Sequence, residues 1–111
     1  GAFPTWLAPV QVKVLPISDK FIDYGTEVLQ KLKDAGIRAE LDTRAEKIGY
    51  KIREAQTHKI PYMLVVGEKE ADSKTVAVRS RANGDEGPEA LEAFIQTVQE
   101  EVRTKKTAVP K

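Results

Sequence analysis

The sequence predicts an α/β fold in which a mixed, mainly parallel sheet lies between layers of helices. Three observations predict it. Short period-two apolar segments alternate with longer segments of helical spacing, the run Tyr62–Val66 is apolar throughout, and two strand–helix–strand units follow each other along the chain. Right-handed crossovers make three strands parallel, and a fourth, joined to the third by a short connection, pairs antiparallel at an edge. The expected spatial order is 2-1-3-4, with three helices completing a three-layer sandwich.

Each element has a local reason. Val10, Val12 and Val14 alternate with Gln11 and Lys13, which marks the first strand. Ser18 is placed to cap a helix from about Asp19 to Ala35, whose Phe21, Val28, Leu29 and Leu32 share a face and which Gly36 closes. Ile37, Ala39 and Leu41 alternate again as a second strand. Thr43 and Glu46 form a capping-box pair, which puts Arg44 and Lys47 in the first turn of a second helix. Ile48, Ile52 and Ala55 line its inner face, and Pro61 forbids its continuation. Tyr62–Val66 is the third strand, Gly67–Lys74 a charged connection, and Thr75–Arg81 the fourth strand. In that strand Val76 and Val78 face one way and Ala77, Arg79 and Arg81 the other. Ala82–Gly87 reads as a polar loop. Pro88 then suits the first position of a last helix carrying Leu91, Phe94, Ile95, Val98 and Val102.

A chain of 111 residues holds one domain, and 41% apolar with 32% charged residues is the balance of a globular protein. Residues 10–104 carry all the predicted elements. Residues 1–9, with Pro4 and Pro9 around Trp6, read as an extended linker whose aromatic side chains lie on this domain or on a neighbouring one, and residues 105–111 as a flexible basic tail. No apolar run approaches the 18 residues that suggest a membrane span, and no secretory signal is visible, so a cytoplasmic location is expected. With no cysteine and a single histidine, His58, disulfides, thiol catalysis and multi-histidine metal sites are excluded. A net charge of +1 gives no strong electrostatic footprint for nucleic acid.

Ligands of open sheets of this kind lie beyond the carboxyl ends of the parallel strands, here Pro16–Asp19, Asp42–Lys47 and Gly67–Glu70. The turn after the first strand is Leu15-Pro16-Ile17-Ser18-Asp19, without a phosphate-cradling glycine loop, which argues against a nucleotide-binding enzyme. No glycine-flanked serine sits on a strand-to-helix elbow, and His58 reads as an exposed residue at a helix end. No catalytic residue is assigned. A basic stripe formed by Arg44, Lys47 and Lys51, extended by Lys59, Arg79 and Arg81 across the edge strand, is either a solvated face or a phosphate site. Glu70 stands out in that stripe. A carboxylate weakens general phosphate binding but accepts from the N1–H and N2–H of an exposed guanine, an edge that single-stranded RNA loops present.

Four strings carry a resemblance that covers about Phe3 to Arg103. They are Phe3–Val12 (FPTWLAPVQV), Arg44–Glu54 (RAEKIGYKIRE), Ile60–Glu70 (IPYMLVVGEKE) and Val76–Arg81 (VAVRSR). Together they closely resemble the C-terminal anticodon-binding domain of bacterial threonyl-tRNA synthetase, a class II aminoacyl-tRNA synthetase. Prolyl, glycyl and histidyl synthetases share looser versions, and a stand-alone protein-interaction module of the same fold is a further alternative. The resemblance implies an RNA-binding domain that holds the anticodon loop of threonine tRNA while a separate catalytic domain performs ATP-dependent threonylation. It implies anticodon contacts by Glu70 and Arg79 and basic contacts by Lys47 and Lys59, beside which Arg44 and Arg81 are candidates. Ala45 stands where many relatives carry an asparagine that contacts the anticodon, so that contact is not carried over. The resemblance further implies that this domain holds no cofactor, since ATP, magnesium and zinc belong to other domains, and that it is catalytically silent. The parent would be a homodimer and this portion a monomer.

Overall fold

The structure, a computed structural model, describes residues 4–104. Expectations for Phe3 and for the 105–111 tail lie outside the described residues. Among the described residues the sheet has five strands: β1 (Val12–Pro16), β2 (Ala39–Leu41), β3 (Tyr62–Val66), β4 (Thr75–Ser80) and β5 (Gly84–Ala90), in the order β2-β1-β3-β4-β5. β1 runs parallel to β2 and β3, β4 is antiparallel to β3, and β5 is antiparallel to β4. The mixed α/β architecture and the order of the first four strands are as expected. The fifth strand is a correction. Residues 84–90 form a strand where the sequence led us to expect a loop and the start of a helix. Pro88 is tolerated because β5 is an outermost strand, where a missing N–H costs no ladder bond on the solvent side.

Among the described residues four α-helices replace the three expected: α1 (Ile22–Asp34), α2 (Ile48–Thr57), α3 (Glu68–Ser73) and α4 (Leu91–Thr104). The predicted start of α1 at Asp19 is instead a 3-10 turn over Asp19–Phe21, and the Ser18 side chain makes no cap bond. The connection after β3 folds as α3. Both outer layers are present. On one face, α1 and α4 bury Tyr24, Val28, Leu32, Leu91, Phe94 and Val98 against Val12, Val14, Leu64, Val66, Val76 and Val78. On the other, α2 lays Ala55, with half-buried Ile48 and Ile52, over Leu15 and Met63. Among the described residues no helix is long and apolar enough to cross a membrane.

The segment before β1 is held by side chains. Thr5–Leu7 forms a 3-10 turn rather than an extended run, with Thr5 and Ala8 buried. Gln11, also buried, donates to Thr5 O at 2.9 Å and accepts from the Arg38 N–H at 2.9 Å, while the Arg38 guanidinium donates to Ala8 O and Trp6 O, each at 3.0 Å. A buried amide meeting both partners is the arrangement such a group requires.

Candidate nucleic-acid interface

Strand register decides which side chains share a surface. One row crosses the whole sheet on the α2 face: Glu40, Lys13, Met63, Arg79 and Asp85 are successive partners. The next row is Leu15, Val65, Ala77 and Pro88. α2 covers the β1 side of this face, but Val65 and Ala77 are only half-buried and Pro88 is exposed. The β3–β5 half is therefore an open platform, apolar at its centre, with Arg79 on it. The sequence reading placed Arg79 on an edge strand; β5 lies outside β4, so Arg79 projects from the interior of the sheet.

The six candidate residues fall into two groups. Arg44, Lys47 and Glu70 stand at the carboxyl edge, after β2 and β3. Lys59 precedes β3 and Arg81 follows β4, so both lie at the opposite end, where the Arg81 guanidinium donates to Lys59 O at 2.9 Å. Arg79 lies opposite Met63, three residues before Val66, or roughly 10 Å from the carboxyl edge at the rise of a strand.

Their freedom to bind differs. Arg44 is tied down: its Nε and Nη2 donate to the Asp42 carboxylate at 3.0 and 2.7 Å, Nη2 also pairs with Glu54, and its cation lies 5.8 Å from the Tyr50 ring centroid. Asp42 also accepts the Arg44 backbone N–H at 3.0 Å. This turn holds residues 43–47 out of the helix, so α2 starts at Ile48 with Lys47 as its N-cap, a correction to the expected capping box. Lys51 is a second correction. It is buried rather than on an exposed stripe, and its ammonium donates to Pro16 O at 3.2 Å and Asp42 O at 3.3 Å, joining the ends of β1 and β2 to α2. Glu70 Oε1 accepts the Gly67 N–H at 2.8 Å. Lys47 and Lys59 are exposed and, among the described residues, their ammonium groups have no hydrogen-bond or ion-pair partner.

Arg79 is the least committed of the buried or half-buried cations. Its side chain is 30% exposed, Nη1 lies 3.8 Å from Asp85 Oδ2, and its buried Nε has no acceptor among the described residues. Asp85 escaped the sequence reading, because a polar stretch without alternation gave no sign of a strand.

Hydrogen bonds from Arg44 hold the Asp42 and Glu54 carboxyls below their usual range, and those same bonds raise the Arg44 guanidinium. A carboxyl with a lowered folded pKa contributes stability that is complete above its unfolded value and is lost as pH falls through the folded one. The Tm difference between wild type and Arg44→Ala is therefore expected to be largest near neutral pH and to shrink through the acid range. A difference independent of pH would show that these bonds add nothing to stability.

Comparison with known proteins fixes the family. Residues 11–101 match the anticodon binding domain family. The chain belongs to this family. The domain is 61% identical over 105 residues to threonine–tRNA ligase of Clostridium botulinum, a match covering 95% of this chain and 16% of that protein. It thus spans about one-sixth of the length of such relatives. In structure it resembles the RNA binding domain of threonyl-tRNA synthetase from Cryptosporidium parvum Iowa II, with TM-score 0.85 and 37% identity over 90% of this chain and 25% of that one. Prolyl-tRNA synthetase from Cryptosporidium parvum follows with TM-score 0.81 and 25% identity, covering 94% of this chain and 23% of that one. Identity thus favours the threonine enzyme over this sister synthetase.

Proposed function

We propose that this domain binds the anticodon stem-loop of threonine tRNA and, within a threonyl-tRNA synthetase, positions it for threonylation by a separate catalytic domain. The observation that carries the choice of residues is the part-exposed Arg79 guanidinium, which makes no side-chain hydrogen bond among the described residues, on an open, partly apolar sheet face. An unstacked base has an apolar face and a polar edge, and both find a counterpart there. Lys47 and Lys59 supply phosphate contacts, Glu70 accepts from guanine, and Arg81 orders the Lys59 turn through its carbonyl. Arg44 is assigned to shaping the 43–47 loop, since its donors are spent on Asp42 and Glu54. It therefore does not replace the hydrogen bonds that Ala45 lacks. In this reading ATP, magnesium and zinc belong to other parts of the longer cytoplasmic, homodimeric enzyme, and this portion alone is a monomer without cofactor.

NMR titration with the threonine anticodon stem-loop, against one with guanine changed at the second anticodon position, tests the reading. Shifts are expected at Lys47, Glu70 and Arg79 and are expected to weaken with the base change. Arg79→Ala should cost about 1–3 kcal/mol of discrimination, the worth of a bidentate base contact. With net charge +1, affinity should fall only gently with salt. Equal binding of both stem-loops by wild type would overturn the anticodon assignment.

A further inference from the structure

We propose that Asp85 is a positioning residue for RNA recognition: it holds the Arg79 guanidinium by Nη1 and leaves Nη2 turned to the ligand. The inference rests on the anticodon reading above and adds a residue to it.

Three features carry it. A register shift between Val78 and Arg79 interrupts the β4–β5 ladder, so that Val78 pairs with Gly87 but Arg79 pairs with Asp85 rather than Glu86. An extra residue on β5 turns a side chain to the face its neighbours do not share, which is what a bulge does beside a functional site. That shift brings Asp85 into the row containing Lys13, Met63 and Arg79, on the open face. The carboxylate is itself fixed. Its Oδ1 accepts the Gly87 N–H at 2.9 Å, and Gly87 takes φ +85°, a conformation that side chains other than glycine rarely adopt. The other oxygen, Oδ2, is thereby left facing Arg79 Nη1 at 3.8 Å.

The pair is too long and exposed to add much stability: Asp85 is 67% exposed at its side chain. Its effect is on direction. A free arginine loses considerable rotamer freedom on binding, and a partner at one nitrogen removes part of that loss beforehand. Guanidinium donors read an acceptor pair through two parallel N–H groups. Nε is buried here, so with Asp85 at Nη1 the donor left to a ligand is Nη2. Among the described residues Nε has no acceptor, and Arg79 makes no side-chain hydrogen bond. Nη2 is thus preorganised for an acceptor of a base or a phosphate.

Asp85→Asn and Glu86→Gln separate this role from simple charge. Each removes one negative charge from β5, and Glu86, exposed, is not the partner of Arg79. Loss of an acidic charge alone strengthens RNA binding. The expected result is that Glu86→Gln binds the threonine stem-loop slightly more tightly. Asp85→Asn should bind it about 3- to 10-fold more weakly, lose discrimination against the altered anticodon, and keep the wild-type Tm. In an Arg79→Ala background, Asp85→Asn should no longer weaken binding and should tighten it slightly, as Glu86→Gln does. In the free protein, Asp85→Asn should shift the Arg79 Nε–Hε NMR signal, whereas Glu86→Gln leaves it in place. Equal tightening by both variants with discrimination retained, or an unmoved Nε–Hε signal, overturns the role of Asp85 while the anticodon reading stands. A wild-type domain that binds neither stem-loop overturns the anticodon reading itself, and the Nε–Hε signal still judges the Asp85–Arg79 contact.

Discussion

Phe94→Ala is expected to destabilise the domain by about 3–5 kcal/mol, the cost of emptying a large aromatic site in a packed core. Phe94 is 1% exposed and meets the Tyr62 ring edge-on, with centroids 5.4 Å apart and planes at 84°. Tyr62 also donates its hydroxyl to Glu101 at 2.6 Å, and burial with this bond pushes the phenol well above its ordinary pKa. One β3 residue thus holds α4 at two points along its length. Removing the Phe94 ring opens a void against Tyr62 and weakens both. Small domains have net stabilities of about 5–15 kcal/mol, so the loss is a large part of the whole. Urea denaturation should show a much lower midpoint with an unchanged slope. The helix lies on the sheet face opposite Arg79, so the folded fraction should bind RNA with wild-type affinity. An unaltered midpoint would mean that α4 is not anchored through this ring pair.

Legibility of the fold followed apolar periodicity. The buried strands β1, β3 and β4 and the amphipathic helices α1, α2 and α4 all have apolar faces, and all were visible from spacing alone. β5 has no such face. It is an outer strand of glycines, acids and a proline, held by pairing to β4, and edge position exempts it from the pattern that reveals strands. Lys51 was misread for the opposite reason. It lies three residues after Ile48 and four before Ala55, on the inner stripe of α2, but its charge suggested an outward residue. The carbonyls of Pro16 and Asp42 receive its ammonium, and these come from distant segments that no local window contains. The candidate site divides in the same way. Glu70 and Arg79 were named from the sequence, whereas Asp85 depends on a bulge in strand pairing that only the folded chain displays.

Glu70→Ala and Glu70→Gln should separate two functions of one carboxylate. Glu70 sits at the third position of α3, a helix of only six residues, and its Oε1 accepts the Gly67 N–H that would otherwise go unpaired. A Cβ at Gly67 would lie 2.7 Å from Ile17 Cδ1, the far end of an exposed side chain that can move aside, and 3.3 Å from Glu70 Oε1. Alanine removes the acceptor, costing about 0.5–2 kcal/mol for the cap, and in our reading a further 1–3 kcal/mol of base discrimination. Glutamine behaves differently. Its amide oxygen still accepts from Gly67, which turns the amide N–H₂ toward the ligand in place of Oε2. Guanine presents donors at N1 and N2, so a donor now faces donors. Glu70→Gln is therefore expected to keep a near-wild-type Tm yet lose preference for guanine at the second anticodon position. Glu70→Ala loses both. Parallel melting curves and stem-loop titrations decide it: a glutamine variant that discriminates as well as wild type would leave Glu70 as a helix cap alone, with base reading assigned to Arg79.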